Sequence, residues 1–262
     1  MAENRLERGI LPTSHVKERF REIDILRGIA VIMMVVFHLA FDLAYFGIWH
    51  ENVSTGPWRL LAFLTASLFL FLVGVSLSIS GARAIAALSS RAFFAKYLFR
   101  GGSLFLLGMG ITAVTWFLVP GQAIVFGILH LIGVSVMLAP IFLRFHWGNL
   151  AAGFVCIATG MVLSGVEGPV WLAWLGVHPV AFASLDYTPL FPWFGVVLLG
   201  IFSGQCLYPG GIRRFPLPTP SFPLHGAFIF LGRHSLAIYL LHQPVILLAI
   251  ALIWHPAGMG FG

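Results

Sequence analysis

The sequence predicts an all-α protein, a polytopic transmembrane helical bundle of about seven spans with a cytoplasmic N-terminus. Of its 262 residues, 59% are hydrophobic and 9% are charged, whereas a soluble domain carries roughly 25% charged residues. The mean hydropathy is +0.96. Backbone groups in lipid must be hydrogen-bonded internally, so only helices or closed barrels span a bilayer. The long unbroken apolar runs, rather than strict alternation, favour helices.

Each predicted span is an apolar run close to the length of about 20 residues that a bilayer core requires. The seven spans cover residues 23–47, 58–80, 98–119, 122–143, 149–166, 188–208 and 234–254. Residues 167–187 are apolar but interrupted by glycine and proline, so we expect them at the membrane interface. The Pro-rich segment 209–225 is predicted to be a loop.

The basic residues predict the orientation. A cytoplasmic N-terminus leaves Arg59 outside and places the other fourteen lysines and arginines inside. The inner set is Arg5, Arg8, Lys17, Arg19, Arg21, Arg27, Arg83, Arg91, Lys96, Arg100, Arg144, Arg213, Arg214 and Arg233. This bias explains the net charge of +6 without a nucleic-acid partner, and it predicts a multi-pass protein of the cell membrane. Residues 1–20 then form a cytoplasmic segment, 21–256 the membrane domain and 257–262 a tail.

His38 and Asp42 are the leading catalytic candidates, because ionisable residues inside a span are costly and mark function. They lie one turn apart on one helix face, in the outer half of the first span. A carboxylate bonded to one ring nitrogen raises the basicity of the other, which makes a general base. The alternative is a packing histidine, with Asp42 reaching out to the interface.

Other titratable residues fall near the same depth or at the outer surface. They are His130 in the fourth span, Asp186 and Tyr187 at the mouth of the sixth, and Arg59 and His50 outside. Asp186, Tyr187 and Arg59 are therefore candidates for binding an external substrate. His130 is open to two interpretations, a functional residue or a structural donor between helices. The same choice stays open for His242 and Gln243, which precede Pro244.

Four arginines, Arg27, Arg100, Arg144 and Arg233, are predicted to line one inner mouth, where they suit an anionic ligand. Basic residues at inner helix ends also anchor and orient a membrane protein, which is the alternative. The two cysteines, Cys156 and Cys206, make no metal-binding spacing, so no metal site is predicted.

The motifs along the chain resemble those of membrane-bound acyltransferases, in particular the group around heparan-α-glucosaminide N-acetyltransferase. The resemblance begins with Arg21-x-x-Asp24-x-x-Arg27-Gly28, followed by His38 and Asp42. Further segments that agree are Phe71-Leu-Val-Gly-Val-Ser76, Phe126-Gly-Ile-Leu-His130, Asp186-Tyr-Thr-Pro-Leu-Phe-Pro192-Trp193 and Leu231-Gly-Arg233-His-Ser235 through His242-Gln-Pro244. Together they run from residue 20 to about 255.

This resemblance implies transfer of an acetyl group from cytosolic acetyl-CoA to an amine or hydroxyl of a sugar or glycan at the outer face. The inner arginines and His130 would hold the CoA portion. The catalytic histidine would deprotonate the acceptor or take the acetyl group itself. In the heparan enzymes that histidine lies in the loop after the first span, where His50 is the nearest match. In the broader group it lies within the span, as His38 does. A homodimer is also implied.

Two other functions remain open from the sequence. A proton-coupled transporter would use His38, Asp42 and His130 as a relay. A structural or assembly protein would use the same residues only for packing. Inverted repeats with broken helices would indicate a transporter, and no such symmetry is evident in the sequence.

Overall fold

The computed structural model describes residues 19–217 and 223–254. Within these ranges the chain forms eight α-helices and two short 3₁₀ helices, with no strand and one isolated bridge between Glu167 and His178. The helices are α1 (Arg21–Tyr45), α2 (Gly56–Ala87), α3 (Ser90–Leu118), α4 (Ile128–Phe142), α5 (Trp147–Leu163), α6 (Leu190–Leu207), α7 (His225–Arg233) and α8 (Ser235–Ile253). The prediction of an all-α fold is confirmed.

Five helices are long and apolar enough to cross a membrane: α1, α2, α3, α6 and α8. The helices α4 and α5 are also apolar but have only 15 and 17 residues. Each of these seven helices overlaps one predicted span. The membrane-helical class is therefore established, whereas the count of seven spans and the cytoplasmic N-terminus stay predictions. The predicted tail 257–262 and most of the segment 1–20 lie outside the described residues.

Helix boundaries differ from the predicted spans where polar residues continue a helix beyond its apolar run. Helix α2 extends to Ala87, and α3 already begins at Ser90, where the Ser89 hydroxyl accepts a hydrogen bond from the Ala92 amide at 3.4 Å. Conversely, α4 begins at Ile128 rather than at residue 122. Residues before it are held as a loop, because Gln122 and Phe126 accept backbone bonds from the segment that precedes α6.

Helix α7 was not predicted, and it includes the last residue of the segment that was expected to be a loop. It has nine residues and mixes polar with apolar side chains, so it gives no apolar run long enough to be recognised as a span. Residues 167–187 form a single 3₁₀ helix at Val170–Leu175 between irregular segments. Their place at the membrane interface stays a prediction.

Glycine allows the central helices to pack with their backbones in contact. A Cβ on Gly74 of α2 would lie 2.1 Å from the carbonyl oxygen of Val197, and one on Gly200 of α6 would lie 2.2 Å from that of Phe71. Small residues at such crossings are the usual basis of helix association in membranes, since close backbones maximise van der Waals contact. The α2–α6 contact forms the centre of the bundle, with Leu70, Leu77 and Val197 fully buried.

The bundle has one basic end, defined here as the end at which α1 begins and α6 finishes. The rings of Phe20 and Tyr208 lie 4.7 Å apart there, and Tyr208 donates to Glu22 at 3.1 Å. Arg213 pairs with Glu22 at 3.4 Å, and Arg83 donates to the Gly211 carbonyl at 3.1 Å. Burial and the neighbouring Glu22 carboxylate raise the pKa of Tyr208 well above its ordinary value.

Candidate active site

His38 lies about 26 Å along α1 from Arg21, at 1.5 Å per residue. Its Nδ1 lies 2.8 Å from the Met34 carbonyl oxygen, and the side chain is half-buried. A carbonyl only accepts, so Nδ1 carries the proton and the lone pair is on Nε2. Within the described residues Nε2 of His38 has no hydrogen-bond partner. The ring therefore has the tautomer that a general base requires.

Asp42 does not form the hydrogen bond to His38 that the sequence suggested. It is 3% exposed, and both of its carboxylate oxygens lie 2.8 Å from Nε2 of Gln243 in α8. His38 instead bonds to its own helix, one turn before it. The carboxylate remains near enough to act on the imidazole through its charge. Asp42 thus ties α1 to α8 and places a negative charge beside His38.

A second histidine, His242, packs against His38. The two ring centroids are 4.8 Å apart, and the rings meet edge to face at 77°. Nδ1 of His242 lies 2.7 Å from the Tyr239 carbonyl oxygen, so its lone pair is also on Nε2. Within the described part of the chain, that Nε2 atom and Oε1 of Gln243 are buried without a hydrogen-bond partner. Sequence reasoning gave His242 no preference for function, although an imidazole and an amide inside an apolar span were the available signal.

Asp186 lies near this site, where it contacts Tyr239 of α8. Its Oδ2 accepts the Ile128 amide at 3.0 Å, at the first turn of α4, and its Oδ1 accepts the Thr188 hydroxyl at 2.8 Å. A carboxylate at a helix N-terminus is favourable, because it satisfies free amides and opposes the helix dipole. The hydroxyl of Tyr239 lies close to the same carboxylate. Asp186 therefore neighbours the residue whose carbonyl orients His242.

His130 is 1% exposed, and both of its ring nitrogens are occupied. Nδ1 accepts the Gly127 amide at 3.2 Å, and Nε2 lies 3.3 Å from the Thr112 hydroxyl. Thr112 donates in turn to the Ile124 carbonyl at 2.6 Å. This closed network joins α3 to the start of α4 and favours the structural interpretation. A role for His130 in holding CoA stays a prediction.

Three further candidates lie towards the loops. The Tyr187 hydroxyl donates to the Ala173 carbonyl at 2.8 Å, and burial raises the pKa of Tyr187 to about 12. His50 and Arg59 are exposed, and neither side chain has a hydrogen-bond partner in the described part of the chain. The loop between them is closed by Trp49 and Trp58, whose rings are 5.3 Å apart. The structure does not bring these three residues into contact with His38.

Two of the four inner arginines pair with one buried carboxylate. Asp24 is 4% exposed and pairs with Arg27 at 3.4 Å and with Arg233 at 3.3 Å. Arg27 also donates to the Ser76 hydroxyl of α2. Arg100 is exposed and close enough to repel Arg27. Arg144 is exposed at the end of α4 and shows no contact with the other three. Three of the four predicted arginines are therefore neighbours.

A cavity of about 310 Å³ lies at the basic end. It is lined by residues of α2, α6 and the α4–α5 turn, among them Ser78, His146, Gln205 and Tyr208. A larger cavity of about 500 Å³ lies where α3 ends, against the 167–187 segment, and its lining is mainly apolar. Neither cavity is lined by His38 or His242.

Comparison with known proteins identifies the family. No curated protein and no solved structure matches the chain. The family model described as heparan-α-glucosaminide N-acetyltransferase, catalytic, matches residues 19–244, which begin just before α1 and finish one residue beyond Gln243. The match includes His38 and His242 as well as Arg27, Arg100 and Arg233. The order of motifs along the chain had predicted this family. The chain therefore belongs to the heparan-α-glucosaminide N-acetyltransferase catalytic family of membrane acetyltransferases.

Proposed function

We propose that this protein transfers an acetyl group from cytosolic acetyl-CoA to an amine or hydroxyl of a sugar or glycan outside the cell, with His38 as the general base. Family membership supports the acetyltransferase class. The observation that carries the assignment to His38 is its geometry. The proton on Nδ1 is held by the Met34 carbonyl, which leaves the Nε2 lone pair available beside the buried Asp42 carboxylate.

The reaction needs one base, which takes a proton from the acceptor and later gives it to the leaving group. Nε2 of His38 removes a proton from the acceptor as its oxygen or nitrogen attacks the thioester carbonyl. The new carbon–oxygen or carbon–nitrogen bond forms, the carbon–sulfur bond breaks, and the CoA thiolate leaves. The imidazolium then gives its proton to that thiolate. The Asp42 charge stabilises the imidazolium, although Gln243 rather than His38 holds the carboxylate.

The basic end suits the CoA portion of the donor. Its phosphates are bound well by guanidinium groups. Arg100 is the best placed of the four arginines, because it is exposed and lies near Arg27 without pairing with Asp24, as Arg27 and Arg233 do. An anion bound there would also relieve the repulsion between Arg27 and Arg100. Arg144 belongs to the same proposal as a more distant phosphate contact. The predicted contact of His130 with CoA is not part of it, because both ring nitrogens of His130 already have partners.

The surface of the bundle supports residence in a lipid bilayer. Phe99 and Phe117 of α3 are 80% and 82% exposed, and Leu98 is 62% exposed. Apolar side chains in such numbers are stable only against lipid or a second apolar surface. The proposal places the protein in the cell membrane with Asp186, Tyr187 and Arg59 towards the acceptor, and it includes a homodimer. Light scattering of the purified protein in detergent gives the oligomeric state.

Purified protein in lipid nanodiscs tests the proposal through two measurements, acetyl-CoA binding and acceptor-dependent release of the free CoA thiol. We expect His38→Ala to bind acetyl-CoA and to lose turnover at least a hundredfold, the usual contribution of a general base. His234→Ala is the matched control, because its Nδ1 also bonds to a main-chain carbonyl one turn back, at 2.8 Å.

Two outcomes contradict the proposal in different ways. If the wild-type protein does not bind acetyl-CoA, the acetyltransferase assignment is wrong, and proton flux into liposomes reconstituted with the purified protein would test the transporter alternative. If turnover is lost in His50→Ala and kept in His38→Ala, the loop histidine is the catalytic base.

A further inference from the structure

Two buried polar atoms beside His38 have no partner among the residues that the structure describes. Nε2 of His242 and Oε1 of Gln243 are both inaccessible to solvent and make no hydrogen bond. Buried polar groups in folded proteins are almost always hydrogen-bonded, so each exception calls for an explanation. The described part of the chain holds five such side-chain atoms, and these two belong to consecutive residues that face the same stretch of α1.

Both atoms are hydrogen-bond acceptors. Nδ1 of His242 is committed as a donor to the Tyr239 carbonyl, which leaves Nε2 with the lone pair. The Gln243 amide nitrogen must face Asp42, because a carboxylate only accepts, and this orients Oε1 away from it. A ligand that satisfies both atoms therefore supplies two donors, as hydroxyl or amine groups.

The residues that carry the two acceptors contact neighbouring positions of α1. The His242 ring packs on His38, and Gln243 bonds to Asp42, one helical turn further along α1. Residues one turn apart have Cβ atoms about 5–6 Å from each other. A sugar ring carries donors on several neighbouring carbons and can offer one to each acceptor, whereas a lone hydroxyl or amine satisfies only one.

We propose that His242 and Gln243 bind the acceptor, with Nε2 and Oε1 accepting hydrogen bonds from two donors on one sugar ring. This rests on the proposed acetyl transfer and extends it to the recognition of the acceptor. The ring is then held at His38 by two points, which selects a polyhydroxylated or aminated ring over a simple alcohol or amine. A buried site built to hydrogen-bond a substrate group rejects analogues that lack it.

The test combines variants with deoxy substrates. The probes are methyl glucoside and methyl glucosaminide, each with its series of monodeoxy analogues, assayed by release of the CoA thiol. For the wild-type protein we expect kcat/KM to fall about tenfold for two particular deoxy positions, the size of one lost hydrogen bond. In His242→Phe the penalty at one of these positions disappears, and in Gln243→Met the penalty at the other disappears.

Controls separate recognition from general damage. His242→Gln restores an acceptor and part of the discrimination, and His234→Phe leaves both penalties intact. If every deoxy analogue reacts like its parent, or if the penalties persist in both variants, His242 and Gln243 do not bind the acceptor although acetyl transfer stands. If none of the probes is acetylated by the wild-type protein, the proposed function fails together with this inference.

Discussion

The side-chain amide nitrogen of Gln243 lies 2.8 Å from each carboxylate oxygen of Asp42, across 201 residues of sequence. One amide donor thus holds both oxygens of a carboxylate that is 3% exposed. The contact joins α8 to α1 one helical turn beyond His38. Because His242 and Gln243 are neighbours in the chain, the same contact fixes the position along α1 at which His242 packs on His38.

Removing the hydrogen bonds between Gln243 and Asp42 is expected to destabilise the protein. Gln243→Met keeps the length of the side chain and leaves the Asp42 carboxylate without its donor. Because a hydrogen bond to a charged group contributes about 1.5–3 kcal/mol, the thermal unfolding temperature in detergent should fall by several degrees. Gln122→Met is the control, since its half-buried side chain makes no hydrogen bond in the described part of the chain. Equal effects in both variants would show that Gln243 adds nothing to the α1–α8 contact.

Gly232 of α7 is expected to tolerate no side chain. A Cβ there would lie 1.8 Å from the Asp24 carbonyl oxygen of α1, so Gly232→Ala must push the helices apart. We expect a loss of about 1–3 kcal/mol, the usual cost of overpacking. Gly110→Ala in α3 is the matched helical control, because nothing lies within 4 Å of its Cβ. That control should be neutral or slightly stabilising, since alanine favours helix by up to about 1 kcal/mol. Thermal unfolding of both variants in the same detergent measures the difference.

Asp24 should matter more for stability than an exposed carboxylate. Asp24→Asn removes the charge that pairs with both Arg27 and Arg233. The Arg233 side chain is 43% exposed, so solvent weakens that pair. We expect a loss of about 1–2 kcal/mol, dominated by the more buried Arg27 contact. Glu51→Gln, in the exposed first loop, should leave the unfolding temperature unchanged. A stable Asp24→Asn variant would mean that Ser76 alone is sufficient to hold Arg27.

His130 is expected to affect stability rather than donor binding. His130→Leu leaves the Gly127 amide and the Thr112 hydroxyl without their ring partner, at a cost of about 1–3 kcal/mol. The dissociation constant for acetyl-CoA should not change at a temperature where the variant is folded. His178→Leu controls for loss of an imidazole outside this network. Weaker acetyl-CoA binding in a fully folded His130→Leu protein would instead establish the residue as a donor contact.

Much of the fold could be predicted because membrane helices are selected by local composition. The apolar runs located α1, α6 and α8 to within a few residues. The longer α2 and α3 and the missing α7 have one cause, namely that polar residues continue or form helices which hydropathy does not detect. Gly127 and the loop before it show the reverse case, in which apolar residues stay outside a helix because tertiary hydrogen bonds hold them.

The sequence by itself determined the membrane class, the family motifs and the position of His38 and Asp42 on one helix face, since these depend only on composition and helical period. Only the tertiary structure decided which side chains these residues contact. Asp42 bonds to Gln243, His38 packs on His242, and Arg27 shares Asp24 with Arg233. Hydrogen bonds and ring contacts act over a few ångströms, so they depend on how α1 meets α7 and α8. That arrangement follows from glycine contacts such as Gly232 against Asp24, which no periodicity in the chain reveals.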